Sequence, residues 1–148
     1  MAMPAQPTEW TVEMIRALPD DGNRYEVVGG ELFVTPAPTW THQRAVSELL
    51  VLLVPYLRQH SLGDAIVEVL SPSTRRTDRT DKLDLYRRKG IPEYWIVDTD
   101  DRSVERWRPE YTIPEVLTEA LEWRPDAATA PLVIDLGTYF DRVNGLAV

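Results

Sequence analysis

Residues 66–98 read IVEVLSPSTRRTDRTDKLDLYRRKGIPEYWIVD. Ala65, Ile66, Val67, Val69 and Leu70 form an apolar, largely β-branched run around Glu68, a strand pattern. An unpaired carboxylate buried in such a strand costs several kcal/mol. Glu68 therefore implies a partner, and the local choices are a metal ion or Lys82. A Ser71-Pro72-Ser73-Thr74 turn follows, then a helical segment from about Asp78 to Lys89 that Gly90 can close. Glu93–Val97 is almost wholly apolar, as in a strand buried on both faces.

Upstream, Thr11 can cap a short helix over Val12–Leu18, ended by Pro19-Asp20-Asp21-Gly22. Arg24–Val28 and Glu31–Thr35 read as strands joined through Gly29-Gly30, a hairpin signal because primed turns need positive φ. Thr39 or Thr41 then caps a long helix to about His60. Its Val46, Leu49, Leu50, Leu53, Tyr56 and Leu57 follow the spacing of a core-facing helix. Pro55 should kink this helix or split it near Val51, and Gly63 is the expected stop. Downstream, Ser103–Trp107 reads as a strand with one wet face, Val116–Thr118 and Leu121–Trp123 as a small hairpin, Leu132–Ile134 as a last strand and Gly137–Val143 as a terminal helix. Residues 1–9 read as a loose tail and 10–148 as one domain. The expected class is α+β, bordering on α/β: a mixed sheet with helices packed on it.

A chain of 148 residues, 43% hydrophobic and 27% charged, has the composition of an ordinary globular domain. The absence of cysteine excludes disulfides, zinc–thiolate centres and thiol nucleophiles and fits a cytoplasmic location. The longest apolar run, Leu49 to Leu57, is far short of a membrane span, and residues 1–10 lack the pattern of a signal peptide. A net charge of −8 argues against nonspecific coating of nucleic acid. Residues 75–89 are nevertheless net positive, with Arg75, Arg76, Arg79, Lys82, Arg87, Arg88 and Lys89 against three aspartates. Such a strip is either a phosphate-facing surface or a solvated helix face with i,i+4 pairs such as Asp78–Lys82.

The run Val67 to Thr74, followed by Asp78, Lys82, Tyr86, Gly90 and Glu93 to Asp98, resembles the Uma-type restriction endonucleases of the PD-(D/E)xK nuclease superfamily. Arg24 to Leu32 resembles that family's opening hairpin, and His42 falls at the start of its long helix. The likeness spans most of residues 24–140. It implies a restriction-endonuclease-like mixed β-sheet flanked by helices, and hydrolysis of DNA phosphodiesters with Mg²⁺ or Mn²⁺. It further implies that Glu68 is a metal ligand and Lys82 the cation at the phosphate, with Arg75, Arg76 and Arg79 along the nucleic-acid backbone. In the superfamily the lysine usually lies two residues after the glutamate; here that position is Leu70, and Lys82 on the following helix matches the Uma-type place.

The chain departs from the family in one respect. It runs from Ser61-Leu62-Gly63 straight into Asp64 and the Glu68 strand, without the strand pair whose Pro-Asp-Leu motif supplies the main metal-binding aspartate. The sheet is therefore expected to be shortened by about two strands. On a straight strand Asp64 and Glu68 would lie about 13 Å apart, too far to share one ion. Glu26 and Glu31, of which at most one can face Glu68, are the other carboxylates within reach, with Glu26 the candidate ligand and Glu31 the better fit to hairpin surface. His42 and His60 are too few and too far apart for a histidine metal site, and Ser71 and Ser73 lack a His–Asp pairing. The expectation is weak metal binding with low or absent nuclease activity. The alternative is a catalytically inactive nuclease-fold protein that binds nucleic acid or a protein partner, with a homodimer covering the exposed sheet edge.

Overall fold

A computed structural model describes residues 9–60, 65–70 and 78–146. The Thr11 hydroxyl accepts from the Met14 N–H at 3.4 Å and starts α1 (Val12–Arg16), one turn whose C-cap is already Ala17. Strands β1 (Arg24–Val28) and β2 (Glu31–Thr35) pair antiparallel from Arg24↔Thr35 to Val28↔Glu31. Gly29 and Gly30, at φ 60° and 87°, make the two-residue turn that only positive φ allows. The Trp10 N–H bonds to the Gly30 carbonyl at 2.8 Å, so the chain just before α1 lies against this turn.

Helix α2 (Trp40–His60) starts at Thr39, whose hydroxyl accepts from the His42 N–H at 3.2 Å; Thr41 is inside the helix. Of the two outcomes expected at Pro55, the split does not occur: the helix is one element from end to end. Val51, whose carbonyl loses its partner to the missing Pro55 N–H, is 64% exposed, on the side where water can replace the bond. Leu49 and Tyr56 meanwhile hold the other side in the core. Leu50 faces solvent rather than the core.

Strand β3 (Ala65–Val69) lies parallel to β4 (Glu93–Asp98), with α3 (Asp81–Arg88) between them in the chain. Strands β5 (Ser103–Trp107) and β6 (Glu115–Leu117) continue antiparallel, giving the mixed order β3-β4-β5-β6. The expected hairpin of residues 116–118 with 121–123 does not form. Strand β6 joins β5, whereas β7 (Ala120–Trp123) pairs with β8 (Leu132–Asp135). The expected wet face of β5 is also missing, because Glu105 takes the Arg79 guanidinium at 2.7 Å and Arg87 covers Trp107 at 4.9 Å. Asp135 caps α4 (Leu136–Val143) through the Thr138 N–H at 2.6 Å. The helix expected from Asp78 is interrupted at Thr80 (φ −123°, ψ −80°) before α3 begins.

Every residue of β4 is buried, and the period-two alternation of a strand divides them between two cores. Trp95 and Val97, with Val67 and Val69 of β3, pack against Ala45, Leu49 and Tyr56 of α2 and Leu136, Tyr139 and Phe140 of α4. Tyr94 and Ile96, with Ile66 and Leu70, pack against Leu83 and Tyr86 of α3. The second core is the smaller, and Glu68, alternating with Ile66 and Leu70, is on its side. The Gly63 stop and the Ser71–Thr74 turn lie outside the described residues.

Trp95→Ala should lower unfolding stability by about 3–5 kcal/mol, whereas Leu50→Ser should change it by less than about 0.5 kcal/mol. Denaturant titration of the two variants measures the contrast; a costly Leu50→Ser would mean that its face is covered.

Candidate active site

Lys82 stands in the first turn of α3, with Tyr86 four residues after it on the same helical face and Asp78 four residues before it, ahead of the interruption at Thr80. The Lys82 ammonium lies 3.1 Å from Glu68 Oε1, 3.0 Å from Asp78 Oδ1 and 3.0 Å from Glu26 Oε2. Three separate segments, the β1 hairpin, the β3 strand and the entry to α3, thus converge on one nitrogen. Side-chain exposure is 3% for Lys82 and 1% for Asp78, against 24% for Glu68 and 43% for Glu26. The pocket is therefore closed at the Asp78 end and open at the Glu26 end.

Aromatic hydroxyls hold the frame. Tyr94, on the same face of β4, donates to the Asp78 backbone carbonyl at 2.9 Å and fixes the helix entry against the sheet. Tyr86 donates to Glu68 Oε1 at 3.3 Å, and its ring meets that of Tyr94 edge-on at 4.9 Å. His42 Nε2 lies 2.9 Å from the Val69 carbonyl. A carbonyl only accepts, so this nitrogen carries the hydrogen, and the buried Nδ1 has no partner. Asp78 Oδ1 is ion-paired to Lys82 without a well-directed hydrogen bond, and among the described residues Asp78 Oδ2 has no hydrogen-bond partner.

These surroundings shift the titrations. Burial pushes the Glu68 carboxyl above the ordinary glutamate value, and the Lys82 charge offsets only part of the rise. At Lys82 burial works downward, but the carboxylates of Glu68 and Asp78 outweigh it and hold the ammonium above the ordinary lysine value. Burial and the neighbouring Glu68 charge push the Tyr86 hydroxyl up to about 12. Burial lowers His42, partly countered by the Val69 carbonyl.

Glu68, Lys82 and Glu26 are thus brought together. Lys82 also makes its i,i+4 pair with Asp78, but inside the protein rather than on a solvated face. Glu31, opposite Val28 beside the hairpin turn, is exposed and outside the cluster. Arg79 reaches Glu105 Oε1 at 2.7 Å and Asp98 Oδ2 at 3.5 Å, which ties it to the sheet. Arg75, Arg76 and Asp64 lie outside the described residues. Among the described residues no group of three or more His, Cys, Asp or Glu side chains is set to hold a metal ion; Glu26, Glu68 and Asp78 surround an ammonium instead. Asp78 and Tyr86 are the members that sequence reasoning missed as parts of the site. Their i−4 and i+4 spacing from Lys82 was the available signal.

Residues 64–137, half of the chain, match the model of the family described as Uma2, putative restriction endonuclease. The fold is similar to the crystal structure of a putative nuclease belonging to DUF820 from Anabaena variabilis. The TM-score is 0.72 at 16% identity, over 90% of this chain and 99% of that one. At this identity the likeness concerns the fold. No curated protein matches. Among the described residues no helix is long and apolar enough to cross a membrane.

Lys82→Met leaves three carboxylates around an apolar tip and should cost about 3–5 kcal/mol in EDTA, the range for breaking a buried pair; denaturant unfolding measures it. The pH dependence has a definite sign. The folded state raises the Glu68 pKa, so its stability contribution is complete below the unfolded glutamate value and is lost as pH rises through the folded value. The unfolding stability of Glu68→Gln, relative to wild type, should therefore improve from acidic to neutral pH; a flat difference would contradict the burial effect.

Proposed function

The chain belongs to the Uma2 family of putative restriction endonucleases, and we propose that it hydrolyses DNA phosphodiester bonds with Mg²⁺ or Mn²⁺ at the pocket around Lys82. The carrying observation is that Glu68 and Lys82 meet at 3.1 Å in a pocket that opens to solvent beside Glu26. The donors are carboxylate oxygens, the kind Mg²⁺ prefers, and a buried oxygen of Asp78 is still without a hydrogen-bond partner among the described residues. Glu68 and Glu26 would hold the ion. When bound, it would supply charge neutralisation and a polarised water.

The remaining chemistry belongs to the chain. Lys82, held as an ammonium by its carboxylate neighbours, brings positive charge to a transferring phosphate. Tyr86 stays protonated at neutral pH and orients Glu68 by its hydrogen bond. Arg75, Arg76 and Arg79 are proposed to contact the nucleic-acid backbone, Arg79 sharing its guanidinium with Glu105. Activity is expected to be low, because the carboxylates are already engaged with Lys82.

One observation favours a second reading, a catalytically inactive nuclease-fold protein that binds nucleic acid or a second copy. In the order β3-β4-β5-β6 the strand bearing Glu68 is outermost, and among the described residues β4 is its one paired neighbour. An unpaired edge of this kind is a template for another chain.

Purified protein should nick or linearise plasmid DNA with Mg²⁺ or Mn²⁺, and Glu68→Ala or Lys82→Ala should abolish cutting. Cutting that survives in both variants would remove the site assignment. Absence of cutting in wild type, with DNA binding or dimerisation retained, would favour the second reading.

A further inference from the structure

We propose that Asp78 is a metal ligand of this pocket, and that Lys82 is a built-in cation which a divalent ion must displace from it. The inference rests on the metal-dependent reading above and adds to it a ligand and a mode of regulation. Asp78 is 1% exposed, and among the described residues its Oδ2 has no hydrogen-bond partner. An unsatisfied buried carboxylate oxygen is costly, so such an atom calls for a ligand. Its other oxygen faces the ammonium, which lies equally close to Glu26 and Glu68. Among the described residues, these three carboxylates and one ammonium sum to two negative charges, the charge that a divalent cation balances.

The distances explain why no ready-made metal set exists. The oxygens stand 3.0–3.1 Å from the Lys82 nitrogen, whereas Mg²⁺ takes its oxygens at about 2.1 Å. Closing the carboxylates on an ion requires the ammonium to leave the centre. Tyr94 anchors the Asp78 backbone through its carbonyl, and the pocket opens beside Glu26, the half-exposed partner toward which the ammonium would move. Lys82 would then lower the intrinsic metal affinity while free of metal, and swing toward the open, phosphate-facing side once the ion is in place.

Mn²⁺ binding to the full chain, followed by calorimetry and by the electron paramagnetic resonance of free Mn²⁺, tests this without any catalytic readout. Asp78→Asn, nearly isosteric, should weaken binding about tenfold or more, the scale of losing a partner in a metal site. Lys82→Met should tighten binding relative to wild type, and the double variant should lose that gain. If Lys82→Met is unfolded in EDTA, Mn²⁺ should fold it, as read by circular dichroism. Wild-type affinity in Asp78→Asn, weaker binding or no Mn²⁺-induced folding in Lys82→Met, or no Mn²⁺ binding by any of these proteins would overturn the inference. Plasmid cleavage by wild type separates the two levels. Asp78-dependent Mn²⁺ binding without cutting defeats the nuclease function alone, and cutting with binding indifferent to Asp78→Asn defeats this inference alone.

Discussion

A lysine nitrogen sealed from water is the constraint around which this protein is arranged. An ammonium at 3% exposure is tolerated only if charges of opposite sign replace its hydration, and no single segment of the chain supplies enough of them. Asp78 comes from the same helical stretch, Glu68 from the neighbouring strand and Glu26 from the hairpin far upstream. Meeting this need brings the β1–β2 hairpin to the α3 side of the sheet. The large apolar core lies on the other side, between the sheet and helices α2 and α4. Stability is thus concentrated on one face of β4 and polar chemistry on the other.

Much of the fold was legible because it follows local rules. The hairpin turn at Gly29-Gly30 needs two positive φ angles, and both strand boundaries follow from it. The unbroken burial of Tyr94–Val97 follows from the absence of charged residues there. Where the expectation failed, the competing effect was tertiary. Pro55 removes one hydrogen bond, which favours a break in an isolated helix, yet core contacts of Leu49 and Tyr56 on either side keep α2 whole. Strand pairing of 116–118 with 121–123 looked favourable by proximity, but β5 offered β6 an existing edge, and Leu121 and Trp123 of β7 found the main core.

The site divided in the same way. Glu68 announced itself as an acid in an apolar strand, and Lys82 as the cation within one helix of it. Strand parity allowed at most one of Glu26 and Glu31 to face Glu68. Asp78 was hidden because a carboxylate four residues from a lysine reads as a solvated pair whenever the helix is assumed to be at the surface. Burial, which no spacing reveals, turned that pair into the closed wall of the pocket. Tyr94 was hidden for a related reason: in an apolar run its ring explains its presence, and nothing local says that its hydroxyl anchors the Asp78 carbonyl.

The two-fold origin of the pocket also bears on how the chain reaches its native state. Glu68, Asp78, Lys82 and Tyr86 belong to one strand–helix–strand unit, β3-α3-β4, which closes over a short loop at modest entropic expense. Glu26 must arrive from across the whole of α2, a contact of far greater sequence separation, whose loop-closure entropy is larger. By sequence separation alone, the ammonium is expected to meet Glu68 and Asp78 first, and the docking of the hairpin to act as a latch on an already charged nucleus.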